Sequence, residues 1–231
     1  MRDPKKLSPT GGTMSFNIRR GALSCAAACL LFGCSGADST APDQRPVDGL
    51  RLLTLAADAP ALAVTVTSFY AVRGRNAGAD LWYRPKAGSK DSTKFLEFRL
   101  DNASLDRRPD GTTFAQGDSV LITLTVRDAK HLIVDFQPSG LRFTAKNPGR
   151  LKMFFGEVGD DLDGNGRVDG NDDSIESMLS IWRQESLTAP WIKVASALVK
   201  NNKEIDADLA GFTGYAAAYG HASPGTSRMM T

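Results

Sequence analysis

In a series of short runs between residues 61 and 209, hydrophobic side chains recur at every second position. That period belongs to strands buried on one face, and it excludes most helical folds. In SVLITLTVR (119–127), Val120, Ile122, Leu124 and Val126 share one face, while Thr123, Thr125 and Arg127 share the other. HLIVDF turns Leu132, Val134 and Phe136 inward and leaves His131 outward. RLKMFF turns in Leu151, Met153 and Phe155. KEIDADL turns in Ile205, Ala207 and Leu209 and leaves Glu204, Asp206 and Asp208 outside. ALAVTVT (61–67) and KFLEFRL (94–100) alternate in the same way.

Turn signals separate these runs: Pro109-Asp110-Gly111, Gln116-Gly117-Asp118, Pro138-Ser139-Gly140 and Asn147-Pro148-Gly149. About ten antiparallel strands joined by short turns predict an all-β fold, an antiparallel β-sandwich. The sandwich is expected over residues 55–222, with residues 223–231 as a disordered tail. Residues 55–118 either add strands to it or form a small separate unit. One short helix is expected around Asn171–Ser177, before LSIWRQE (179–185) resumes as a strand.

The first residues have a different character. Arg19 and Arg20 precede GALSCAAACLLF (21–32), an apolar run too short to span a bilayer and suited to an export signal. Residues 1–33 are expected to be that signal, with Met14 as a candidate true start. Leu31-Phe32-Gly33-Cys34 resembles the lipobox of bacterial lipoproteins, although Phe32 is an unusual occupant of its place. The resemblance implies cleavage before Cys34, lipidation of its thiol and a membrane partner reached through the lipid anchor. Ser35 in the next position implies the outer membrane of a bacterial cell envelope. Residues 34–54, small, polar and proline-containing, then read as a flexible tether.

This division changes the charge. The whole chain is formally +2. Removing residues 1–33 takes away five bases and one acid, leaving 23 basic against 25 acidic residues. Basicity is therefore no argument for nucleic acid. Cys25 and Cys29 leave with this region and Cys34, the remaining cysteine, would be lipidated, so no disulfide is expected in the processed chain.

Residues 157–176 (EVGDDLDGNGRVDGNDDSIE) carry eight carboxylates and one base, Arg167. Acids this dense repel unless a counter-ion joins them. Asp161, Asp163, Asn165 and Asp169 occupy positions 1, 3, 5 and 9 of a twelve-residue calcium loop, with Gly166 at position 6 and Asp172 at position 12. Ca2+ is the expected cofactor. Asp161, Asp163 and Asn165 would coordinate through side chains and Arg167 through its backbone carbonyl. Asp169 would act directly or through a water, and Asp172 would close the loop. Val168, at position 8, would pack on the body. Closure by Asp instead of Glu shortens the last ligand by one methylene.

The strand-like MFFGEVG before the loop excludes a helix–loop–helix. The loop-then-helix order resembles a single dockerin repeat, whereas dockerins carry two. FQPSGLRFTAKNPGRLKMFF (136–155), Pro190-Trp191-Ile192-Lys193 and GFTGYAAAYG (211–220) resemble passages of ZU-five-like sandwich domains. That resemblance implies a structural or interaction module and brings no catalytic residues. His131 and His221, the only histidines, and Ser139 and Ser180 assemble into no triad, so no enzyme is expected. Trp82, Tyr83, Trp182 and Trp191 are candidates for core packing or for a sugar-stacking platform. The expected function is a calcium-rigidified interaction module of an envelope lipoprotein, with an envelope protein or polysaccharide as partner. The alternative is an accessory carbohydrate-binding or dockerin-like component.

Overall fold

The computed structural model describes residues 49–220. The expected signal, Met14, Cys34, Ser35, His221 and the tail 223–231 lie outside the described residues. The strands, in chain order, begin with β1 (Arg51–Leu52), β2 (Val66–Val72), β3 (Ala77–Trp82), β4 (Lys94–Leu100) and β5 (Leu105–Arg107). Then come β6 (Ser119–Asp128), β7 (Ile133–Gln137), β8 (Arg142–Phe143) and β9 (Gly149–Phe154). Helix α1 (Gly170–Met178) is followed by β10 (Ser180–Gln184), β11 (Ile192–Lys193), β12 (Ser196–Val199), β13 (Glu204–Leu209) and β14 (Gly214–Tyr219).

The fold is the expected all-β sandwich, with one short helix following the acidic loop. The first sheet runs β11-β10-β14-β7-β6-β2, with β1 also paired to β14. The second runs β12-β13-β9-β4-β3, and β5 pairs with β8 in a two-stranded ribbon. All named pairings are antiparallel. Residues 55–118 are not a separate unit: β2 joins the first sheet, and β3 and β4 join the second.

Period-two burial creates the interior. Ile122, Leu124 and Val126 of β6, Val134 and Phe136 of β7, Leu151 and Met153 of β9, and Ile205, Ala207 and Leu209 of β13 are all buried. Phe98 of β4 is the hub between the sheets. Its ring centroid lies 5.3 Å from Phe136, 5.4 Å from Phe212, 6.2 Å from Phe143 and 6.5 Å from Phe69. Burial of each such side chain contributes about 1.5–3 kcal/mol. The tilted and edge-on geometries suit the ring quadrupoles. Gly149 makes room for this cluster, because a Cβ there would stand 2.9 Å from the Phe143 ring and 3.0 Å from that of Phe98.

Several expectations need correction. The sheet begins at Arg51, inside the stretch expected to be a tether, and Leu53 is buried. Among the described residues fourteen strands replace about ten, because pieces of two or three residues carry no readable period. Residues 61–67 are not one strand. Leu62 bridges to Tyr83 beside β3, and the chain then crosses to the first sheet at Val66. Thr67, Phe69 and Ala71 supply the inward face of β2, and Val64 and Val66 are half exposed. Glu204 is buried, held by Lys152 at 3.1 Å. His131 sits in the β6–β7 turn, its ring Nδ1 2.7 Å from Asp128 Oδ2, not on a strand face.

Candidate metal centre

β9 belongs to the second sheet and β10 to the first, so residues 155–179 carry the chain across the sandwich. The crossover begins with buried Phe155 and a 3-10 turn, Gly156–Val158. Glu157 in that turn is buried. It accepts from Thr93 Oγ1 at 3.0 Å and pairs with Lys86 Nζ at 2.9 Å, and its carbonyl accepts from the Ala56 amide at 2.9 Å. The crossover ends in α1. Asp169 is the N-cap, with its side chain accepting from the Asn171 amide. Asp172, at N3, reaches back to the Asp169 amide at 2.9 Å. This reciprocal capping box explains why the helix starts where it does.

The acidic loop folds on its own carboxylates. Asp161 accepts from the amides of Gly164 (2.9 Å), Asn165 (3.1 Å) and Gly166 (2.7 Å). Asp163 accepts from the Asn165 amide at 3.0 Å and from the side-chain nitrogens of Asn165 and Asn171. Asp172 accepts from the amides of Leu162 (2.7 Å), Asp163 (3.3 Å) and Asp169 (2.9 Å). Gly166 turns at φ +82°, a conformation residues with a Cβ resist. The Asp169 amide beside it, with help from those of Leu162 and Asp163, holds the Asp172 carboxyl below the usual range against the opposing effect of burial.

One oxygen from each of Asp161, Asp163 and Asp172 lies within 4.8 Å of the others. This group can hold a metal ion. A carboxylate offers about four acceptor sites, and each of these already uses three. About one lone pair per residue remains for a cation. The donors are all oxygen, which suits a hard cation and not a thiol- or imidazole-seeking metal.

The other expected ligands are less committed. Asn165 stands within the loop, with its Oδ1 accepting from the Arg167 amide at 2.8 Å. Arg167 is exposed, and Asp169 is engaged in capping α1, outside the group of three. Val168 does not pack on the body; it is 70% exposed. Leu162, at the second loop position, packs against the core instead.

Sequence reasoning missed the neck of the loop. Lys203 Nζ lies 3.1 Å from Asp160 Oδ1 before the loop and 3.1 Å from Glu176 Oε1 in α1. Lys200 Nζ lies 3.1 Å from Glu176 Oε2. Lys203 takes a left-handed conformation, φ 49°, and stands over the Phe155 ring at 5.6 Å. Burial alone would raise the Glu176 carboxyl, but the two lysines outweigh it and the net shift is downward. With Glu157, Asp160 and Glu176 so paired, the acids left in the segment are Asp161, Asp163, Asp169, Asp172 and Asp173, against Arg167. The uncompensated charge is thereby concentrated in the loop itself.

The aromatic candidates are dispersed. Tyr83 is fully buried, and Trp182 is buried with its Nε1 donating to the Ala218 carbonyl at 3.1 Å. Trp82 is partly exposed beside Lys94, and Trp191 lies near Arg127. Ser180 is buried. No protein-family model, curated protein or solved structure matches the chain.

Proposed function

We propose that residues 161–172 form a calcium site that fixes the crossover between the two sheets, in an envelope lipoprotein whose sandwich serves as a structural or protein-interaction module. The supporting observation is the convergence of Asp161, Asp163 and Asp172 oxygens across the mouth of the loop. Asp161 and Asp163 come from its start and Asp172 from the first turn of α1. A cation held by all three ties the second sheet's exit to the helix that leads into the first. Calcium suits an oxygen set of irregular geometry better than magnesium, which demands a near-ideal octahedron. The resident group would supply charge neutralisation and rigidity, and no reaction is assigned to it. The strands on both sides favour a clamp over a switch. Lipidation at Cys34 and the envelope location rest on the lipobox resemblance, and the interaction role on the ZU-five-like passages.

Thermal melting of the chain in calcium and in chelator tests the clamp. At calcium a hundredfold above its dissociation constant, the gain is about 2.7 kcal/mol. That raises the midpoint by roughly 5–11 °C for a domain of this size. Equal midpoints with and without chelator, together with no heat of calcium binding, refute it. Incorporation of a labelled fatty acid that is lost in Cys34→Ala tests the anchor separately.

A further inference from the structure

β2 is an outer strand of the first sheet and pairs only with β6 among the described residues. At the two ends of that pairing, the Val126 amide donates to the Thr65 carbonyl and the Arg73 amide to the Asp118 carbonyl, both at 2.8 Å. Bonds in an antiparallel ladder fall on alternate residues, so Thr67, Phe69 and Ala71 turn their amides and carbonyls toward β6. Val66, Ser68 and Tyr70 turn theirs outward, where they meet no backbone partner among the described residues. The interior is open on this flank too: Phe69 is only half-buried, whereas Ile122 opposite it on β6 is fully buried. The other outer strands are guarded. β1 and β11 have two residues each and β12 has four. β3 carries Asp80 paired to Arg99, a bulge after Leu81 and cover from residues 61–63. β2 (VTSFYAV) runs for seven residues with no charge, proline or bulge, an edge of the kind that natural sheets avoid leaving bare.

The side chains beside these open amides are apolar. Val64, Val66, Tyr70 and Leu121 are four of the seven large hydrophobics exposed among the described residues, and all lie on or next to β2 and its neighbour. Tyr70 stands opposite Leu121, and Ser68 Oγ lies 2.8 Å from Thr123 Oγ1. The outward residues Val66, Ser68 and Tyr70 of β2 and Leu121, Thr123 and Thr125 of β6 carry no charge. The edge therefore fits an extended, uncharged strand with apolar residues at both ends, and β2 is itself such a strand. We infer that two copies of the chain pair through β2, antiparallel about a two-fold axis at Ser68, and join their first sheets into one. In that register Ser68 faces the partner's Ser68, and Val66 faces the partner's Tyr70. Each of Val66, Ser68 and Tyr70 then donates and accepts one backbone hydrogen bond. β-Branched–aromatic pairs across strands are favourable, and no like charges meet. On the inner side Phe69 faces the partner's Thr67, which covers its open flank. A two-fold contact of this kind closes at two copies and leaves β2 no free edge.

The test is hydrogen exchange of the full chain, read amide by amide over a range of protein concentrations, on wild type, Ser68→Lys, Ser68→Glu and an equimolar mixture of the two variants. In wild type, exchange at Val66, Ser68 and Tyr70 should slow about tenfold once about nine chains in ten are paired. Exchange at Thr67, Phe69 and Ala71, already bonded to β6, should change far less. Each variant alone sets like charges directly across the axis and should lose the concentration dependence. Ser68 is exposed, so exchange in the rest of the domain should stay as in wild type. The mixture sets opposite charges across the axis and should restore the protection, which a strand from a different protein would not do. Exchange at Val66, Ser68 and Tyr70 that is independent of concentration in wild type overturns the inference, whether it is fast throughout or slow throughout. So does a mixture that stays as unprotected as either variant alone. The contact uses no residue of the acidic loop, so this test and the calcium melt fail separately.

Discussion

Replacing Lys203 with Met tests whether the neck of the acidic loop is held by charge. In the native chain, Lys203 Nζ bridges Asp160 and Glu176, each at 3.1 Å. Asp160 is 67% exposed, so that arm is screened and contributes little. Glu176 is 12% exposed and loses one of its two cations, keeping Lys200. A charge-assisted hydrogen bond to a buried group contributes about 1.5–3 kcal/mol, and the exposure of Lys203 discounts that. The expected cost is about 1–1.5 kcal/mol, a fall in midpoint of roughly 2–6 °C. The Met side chain keeps most of the contact with Phe155, so packing changes little. The effect must depend on pH. The folded-state pKa of Glu176 is depressed, so its pairing stabilises the fold above the unfolded value of about 4.3 and is lost as pH falls through the folded one. Wild type and Lys203→Met should therefore differ near pH 7 and converge near about pH 3 in urea unfolding. With Glu176→Gln as background, the effect of Lys203→Met should shrink to a few tenths of a kcal/mol. An undiminished difference at acid pH, or full additivity with Glu176→Gln, would show that packing over Phe155 and not charge carries the contact.

Two further substitutions separate the site from the scaffold. Asp161→Asn removes one converging carboxylate, and its single side-chain oxygen cannot accept on both sides as Asp161 does from Gly164, Asn165 and Gly166. Its midpoint should lie somewhat below wild type in chelator and should no longer rise in calcium, as read by calorimetry. Gly149→Ala drives a methyl group into Phe143 and Phe98. Overpacking of that kind costs about 1–3 kcal/mol, a fall of roughly 2–12 °C that calcium does not abolish.

Much of the fold was legible because a half-buried strand writes its environment at every second residue. β6, β9 and β13 were readable for that reason, and so was the helix after the acidic loop, since Asp169 and Asp172 are capping residues at capping spacing. Short pieces were not. β1, β8 and β11 have two residues each, and no period exists over two positions. Glu204 escaped because its burial depends on Lys152, a cross-strand neighbour fifty-two residues away. Spacing suggested Asp161, Asp163 and Asp172 as neighbours, and the geometry brings all three together. It misplaced Val168, because the loop lies against the core through Leu162, a position the calcium-loop pattern leaves unspecified. Lys203 was invisible to local pattern. It meets the loop only because β13 pairs with β9 and brings the preceding turn to the loop's neck.

The short β1–β14 pairing determines how the domain bears a load. Arg51 lies opposite Tyr219, so the chain enters and leaves at one end of one strand pair. The β13–β14 turn stands at the other end of β14, about 20 Å away. Tension applied through the chain before Arg51 therefore meets a two-residue ladder first and opens it one bond at a time, not by sliding whole strands past each other. β1 acts as a release segment that gives way while β14, still bonded to β7 and β10, keeps the core closed.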